Sequence, residues 1–232
     1  MRYQAILFDL FGTLVPSFCS DRFGECLDEM GQALGLESGD FPDSWVFETY
    51  RERVAGVYGT VEANIRAICA DKGITVTESQ IEAATELRVA STRESLCPRS
   101  DAIDVLRELR SRGLLLAVIS DCSAEVPAIW NETPFAEYFD VTVFSCVIGT
   151  KKPDPRMYRQ AFETLDVRPE DCLYVGDGFS QELSGAKRLG IHPVLIAVPG
   201  DPATESPTEE AANWSGTRVT SLSQVLSLVT EC

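Results

Sequence analysis

Four short polar stretches hold the residue types that could do chemistry. Asp9 ends the apolar run 5–8 and is followed by Gly12-Thr13. Ser120-Asp121 ends a second apolar run and Gly176-Asp177-Gly178 a third. Between them lies Gly149-Thr150-Lys151-Lys152-Pro153-Asp154-Pro155. Short runs of this kind make strands buried on both faces. A carboxylate at the C-terminal tip of such a strand sits where open α/β sheets bind ligands. Two aspartates at neighbouring tips suit a hard divalent cation such as Mg²⁺, which favours oxygen ligands and keeps several waters. A lysine and a serine opposite them suit a tetrahedral oxyanion, as point charge and hydrogen-bond donor. Asp9 by itself reads equally well as an Asx turn. Its meaning depends on whether the other strands deliver the rest beside it.

The elements that must do this delivery are legible from periodicity. Strands are expected at 5–8, 114–119, 141–145, 172–175, 193–198 and near Val219, with helices between them at 155–166 and 180–189 and a last one at 225–229. Such alternation predicts an α/β fold, a Rossmann-like parallel sheet with helices on both faces. Residues 16–95 break the pattern and read as all-helical. Phe23, Leu27, Met30 and Leu34 recur at helical spacing up to Gly35, and Pro42 opens a second helix with Phe47, Tyr50, Val54 and Val57 on one stripe. Thr60 caps a third helix, and Thr77-Glu78-Ser79-Gln80 is a capping box for a fourth. The expected division is a core domain of residues 1–15 and 96–232 with a helical cap domain of residues 16–95 inserted after the first strand. Residues 199–217 read as a polar loop.

Composition narrows the function classes. The net charge of −16 argues against nucleic acid or an anionic membrane as a partner, since both demand a basic face. The inserted block is itself acidic, with seven basic against fifteen acidic residues. A small anionic substrate remains compatible, because a local field can oppose the global charge. No stretch approaches the ~20 apolar residues of a membrane span. The N-terminus has no signal-peptide pattern, and the eight cysteines, at 19, 26, 69, 97, 122, 146, 172 and 232, form no CxxC pair. They read as reduced thiols of a cytoplasmic protein.

Taken in order, DLFGTL at 9–14, the serine at 120, the lysine of KPDP at 152 and GDGFSQE at 176–182 resemble the motifs of the haloacid dehalogenase (HAD) superfamily. The resemblance implies a hydrolase in which Asp9 is the nucleophile that takes the transferred group covalently. It implies that Thr13 and Ser120 bind phosphoryl oxygens and that Lys152 neutralises nucleophile and substrate together. Asp9, the backbone carbonyl of Phe11 and Asp177 would hold Mg²⁺, with Glu182 orienting its waters. The expected substrate is a small phosphorylated metabolite. Oligomeric state is not legible.

Two departures from the family pattern bear on the chemistry. Family phosphatases usually carry a second aspartate two residues after the nucleophile, as general acid and base; here that residue is Phe11. Asp121 stands where asparagine is often found, so it is either a displaced acid at the substrate or a cap for the following segment. The family's dehalogenases carry an aromatic at the Phe11 position and need no metal, but their cap arginine is replaced here by Val46. Three readings follow: a Mg²⁺-dependent phosphatase, a metal-independent 2-haloacid dehalogenase-like hydrolase, and a non-catalytic ligand-binding homologue. His192 reads as structural, and the aromatic residues of the insert (Phe23, Trp45, Phe47, Tyr50 and Tyr58) read as packing its own core, with room for one or two to face the substrate.

Overall fold

The computed structural model describes residues 3–17, 20–36 and 40–229, with Ser20 and Asp21 described in backbone only. Its centre is a parallel sheet of β1 (Ala5–Phe8), β2 (Leu115–Ser120), β3 (Val141–Phe144), β4 (Cys172–Gly176), β5 (His192–Ile196) and β6 (Thr217–Val219). The spatial order is β3-β2-β1-β4-β5-β6. β1 is therefore central, paired to β2 with Phe8 opposite Val118 and to β4 with Phe8 opposite Val175. Its four residues are all buried, as the unbroken apolar run requires. The pleat sends Ile6, Phe8, Leu116, Val118, Leu173 and Val175 to one face and Ala5, Leu7, Ala117, Ile119 and Tyr174 to the other. Helices cover both faces, which is the α/β architecture expected.

In chain order the helices are α1 (Ser20–Ala33), α2 (Asp40–Asp43), α3 (Tyr50–Val54), α4 (Val61–Asp71), α5 (Glu78–Ser95), α6 (Ala102–Ser111), α7 (Glu125–Ile129), α8 (Ser145–Ile148), α9 (Pro155–Thr164), α10 (Glu182–Arg188), α11 (Pro202–Glu205), α12 (Glu209–Ala212) and α13 (Val225–Leu228). Both predicted caps form: Thr60 Oγ1 accepts from the Ala63 amide at 3.1 Å, and Thr77 and Gln80 complete a reciprocal box. Helices α1 to α5 bury a cluster of their own, including Leu27, Met30, Phe41, Trp45, Ile65, Ile68 and Ile81.

Three expectations are corrected. The single helix expected from Pro42 is broken: α2 runs into a π-helical segment, Ser44–Glu48, before α3. A π turn adds a residue and rotates everything after it, so the 3.6-residue stripe does not survive. Phe41, Trp45 and Val54 are buried, whereas Phe47 and Val57 are 75% and 67% exposed. The strand expected at 193–198 ends at Ile196. The stretch 199–217 is not one loop but carries α11 and α12, capped by Asp201 and Thr208. The free cysteines described are 26, 69, 97, 122, 146 and 172; Cys19 and Cys232 lie outside the described residues.

Two buried ion pairs join the helical insert and its two linkers, near residues 15–17 and 96–98, to the sheet. Arg88 of α5 reaches Glu125, the first residue of α7, at 2.6 Å, their side chains 5% and 1% exposed. Arg99, just past the second linker, donates to the carbonyls of Gly12 and Thr13 and pairs with Asp201 at 2.6 Å. Asp201 also accepts from Ser17 in the first linker. Both chain crossings are thus tied to the loop that follows Asp9. Burial alone opposes ionisation of Glu125, but Arg88, Ser123 and Arg53 outweigh it and hold its pKa below the usual carboxylate value. A depressed carboxylate stabilises the fold above its ordinary pKa and loses that contribution as pH falls through the folded value. Glu125→Gln should therefore cost about 3 kcal/mol at pH 7. In urea titrations the gap to wild type should close as the pH falls below 4.5, the ordinary value for this group.

Candidate active site

Lys152 stands at the centre of the polar cluster. It arrives on the loop before α9, and its ammonium, 3% exposed, lies 2.5 Å from Asp9 Oδ1 and 2.6 Å from Glu182 Oε2. The Tyr174 hydroxyl, on the inner face of β4, donates to the same Glu182 oxygen at 2.8 Å. Asp121 sets the lysine loop: its Oδ1 accepts the Lys152 amide at 2.9 Å. That bond fastens one strand-tip loop to another and leaves Asp121 Oδ2 buried without a partner. Ser120, at the tip of β2, is fully buried with an unpartnered hydroxyl, and so is the second oxygen of Asp9. Thr13 is fully buried on the turn after Asp9 and helps hold its charge. Phe11 is half-buried, as is Lys151, whose ammonium reaches Ser180 and the Tyr50 ring. Buried polar atoms without partners are expensive, so a cluster of them at converging strand tips marks a site built for a polar ligand.

Glycine makes the carboxylates converge. A Cβ on Gly12, whose φ is +83°, would stand 2.1 Å from Asp177 Oδ2, and one on Gly176 would stand 2.1 Å from Glu182 Oε1. Beyond Asp177 the chain winds tightly through positive φ at Gly178, Ser180 and Gln181. This returns Glu182 beneath the loop, where its Oε1 accepts the Gly178 amide at 3.0 Å. Asp9, Asp177 and Glu182 each bring an oxygen within 4.8 Å of the others.

The electrostatics of this group are unbalanced. Burial, and then the Asp9 charge, push Asp177 up to about 7 and Glu182 well above its usual range. Burial likewise raises Asp9 against the pull of Lys152. Burial disfavours the Lys152 charge, but Asp9 and Glu182 overcome it, so the lysine stays protonated far into the alkaline range. One ammonium cannot neutralise three carboxylates, and ionised together they would repel a phosphoryl group. An oxygen-only donor set, an unpartnered Asp9 oxygen and carboxylates in excess of the ammonium fit a hard divalent cation such as Mg²⁺.

These groups open into a cavity of about 520 Å³. Asp9, Phe11, Asp121, Lys152 and Asp177 line it from the strand tips and their loops, while the insert contributes Phe23, Val46, Tyr50, Arg53 and Arg88. Of the insert's aromatics, Trp45 lies in its core and two, Phe23 and Tyr50, line the cavity; the expectation is corrected at Phe47, which faces solvent. Sequence reasoning missed Tyr174, Arg53, Arg88, Ser123 and Glu125. One signal was available, because Ile81, Ala84, Arg88 and Thr92 share the buried face of α5 and an arginine there needs a partner. His192 packs edge-on against Tyr3, 5.4 Å between ring centroids, away from this site. Among the described residues no helix is long and apolar enough to cross a membrane.

The chain matches the family of haloacid dehalogenase-like hydrolases over residues 3–190. It is 35% identical over 102 residues to haloacid dehalogenase-like hydrolase domain-containing protein 3 of Bos taurus, a match covering 43% of this chain and 41% of that protein. It is 30% identical over 204 residues to glyceraldehyde 3-phosphate phosphatase of Methanopyrus kandleri, covering 83% of each. Among solved structures, CbbY of Rhodobacter sphaeroides in complex with xylulose-(1,5)bisphosphate superposes with a TM-score of 0.62 at 28% identity over 96% of both chains. The sheet order, the motifs at the strand tips and these likenesses agree: the chain belongs to the haloacid dehalogenase-like hydrolases.

Proposed function

We propose that this protein is a Mg²⁺-dependent phosphatase of a small phosphorylated metabolite, with Asp9 as a covalent nucleophile and residues 16–95 as a cap domain over the site. The observation that carries this reading is Asp9 itself. One oxygen is held by Lys152 at 2.5 Å, and the other is buried at the tip of the central strand with no partner. An oriented, desolvated carboxylate of this kind is poised for in-line attack. The phosphatase names carried by relatives support the choice of phosphorus over carbon.

In the first step Asp9 Oδ2 forms a bond to phosphorus and the bond to the leaving oxygen breaks. Lys152 holds Asp9 in line and, with Ser120 and Thr13, binds the phosphoryl oxygens whose charge develops in the transition state. Asp9, Asp177 and the Phe11 carbonyl would hold the cation, with Glu182 behind them. When bound, Mg²⁺ supplies the positive charge that lets a phosphoryl dianion approach this acidic group. Water then cleaves the aspartyl-phosphate and regenerates Asp9. Phe11 provides no proton for the departing oxygen. Asp121 has an unpartnered Oδ2, but its other oxygen is tied to the Lys152 amide, so it anchors the lysine loop and the departing oxygen leaves as an anion.

One observation favours a second reading. An aromatic side chain at Phe11 lining the cavity beside Asp9 also suits attack on carbon, as in a metal-independent dehalogenase-like hydrolase. Chloride release from 2-chloropropionate in EDTA would decide for it.

Asp9→Asn should reduce phosphate release from p-nitrophenyl phosphate to background while the melting temperature stays within a few degrees, the amide being nearly isosteric but not nucleophilic. Residual turnover above about a hundredth of wild type would reject the covalent mechanism. EDTA should abolish activity and added Mg²⁺ restore it, and Asp177→Ala should shift that Mg²⁺ titration to higher concentration. An unchanged titration would remove Asp177 from the ligand set. With no acid at Phe11, rate should fall steeply as leaving-group pKa rises across a series of aryl and alkyl phosphates. Phe11→Asp should flatten that slope, since a general acid contributes on the order of 10²–10⁴ with poor leaving groups.

A further inference from the structure

On the insert's side of the cavity stands a guanidinium that forms no salt bridge among the described residues. Arg88 donates through Nε and Nη2 to Glu125 Oε1, at 2.9 and 2.6 Å, and its charge is thereby met. The Ser123 hydroxyl donates to the same oxygen at 2.7 Å. Arg53, from α3, finds only neutral acceptors: the Trp45 carbonyl at 2.7 Å and the Ser123 hydroxyl at 3.1 Å. Its Nε is buried without a partner, and among the described residues no carboxylate lies in salt-bridge contact with it. The guanidinium stacks 4.6 Å from the Trp45 ring centroid and 5.8 Å from that of Tyr50, which fixes its plane. Two guanidinium groups thus share one carboxylate, in a block that is otherwise strongly acidic.

The Glu125 charge acts on Arg53 but is already held by Arg88, so burying a second guanidinium beside it is costly. Burial lowers Arg53 to about 10, which still leaves it charged at neutral pH. Tyr50 feels both Arg53 and the strand-tip residues. Its phenol is pushed up by burial and then by the Asp121 charge, and pulled down by Arg53 and Lys152. Arg53 and the strand-tip carboxylates therefore act on the same space, a cavity of about 520 Å³ that suits a small metabolite.

We propose that Arg53 receives a second anionic group, a carboxylate or a phosphate, on the end of the substrate that is not transferred. The inference rests on the phosphatase reading of this cavity and narrows its substrate class to doubly anionic metabolites. A guanidinium with unspent N–H groups and a plane fixed by aromatic stacking binds either oxyanion through paired hydrogen bonds. A substrate ending in an aldehyde or hydroxyl would leave that charge unmet, and the site should discriminate against it.

Two matched pairs test this in a Mg²⁺-supplemented phosphate-release assay on the full chain: 3-phosphoglycerate against glyceraldehyde 3-phosphate, and ribulose 1,5-bisphosphate against ribulose 5-phosphate. The first pair reads a carboxylate, the second a phosphate. Wild type should favour the doubly anionic member of at least one pair by on the order of thirtyfold in kcat/KM, mainly through KM. Arg53→Gln should bring that ratio to within about threefold of unity, and Arg53→Lys should keep part of it. A purely structural role would lower both members together and leave the ratio intact, and that result overturns the inference. So does a wild-type ratio near or below one in both pairs, which needs no variant and stands even if Arg53→Gln fails to fold. Phosphate release from p-nitrophenyl phosphate without preference in either pair would reject the inference and leave the phosphatase reading in place. Release from no substrate at all would reject both.

Discussion

The buried ammonium of Lys152 is the interaction on which the site depends. Three elements of distant sequence, the tip of β1, the loop before α9 and the first residue of α10, meet only because Asp9 and Glu182 share that cation. Removing it would leave two carboxylates facing each other in a medium that screens poorly, which costs far more than losing a surface ion pair. The surrounding bonds serve the same end. Asp121 holds the lysine's backbone, Tyr174 and the Gly178 amide hold Glu182, and glycines at 12 and 176 leave room for the carboxylates to approach.

A second layer of constraint lies between insert and sheet. Separating the insert from the sheet would expose buried charge at Arg88 and Glu125, and Arg99 and Asp201 tie down the chain on either side of it. Arg99 is bonded to the carbonyls of Gly12 and Thr13, so motion at the linkers reaches the turn that follows the nucleophile. The same contact that orders the fold thus couples the position of the insert to the geometry at Asp9. Closure of a lid over such a site would exclude water and strengthen each of its electrostatic interactions.

Much of this was legible before any coordinates. Unbroken apolar runs ending in Asp9, Ser120 and Gly176-Asp177 are local signals, and a strand buried on both faces has few other ways to be written. The caps at Thr60 and Thr77 are equally local, since a side-chain oxygen satisfies an amide three residues away. The sequence missed what depends on phase or on distant partners. The π segment at Ser44–Glu48 shifted the stripe from Pro42 onward, and α11 and α12 are too short for any periodicity to register.

By itself, then, the sequence determined the parallel sheet, the strand tips and the residue types gathered there, because each follows from side-chain alternation and turn chemistry over a few residues. Only the tertiary structure decided which carboxylate each cation would take. Lys152 could have faced solvent, Asp121 could have stood free of the lysine loop, and Arg53 and Arg88 read as ordinary charges of an acidic helical block. Packing placed Arg88 against Glu125 and left Arg53 with neutral acceptors. Pairings of this kind join residues 37 to 143 positions apart, over distances where local propensity carries no information and only the folded geometry sets the Coulomb energy.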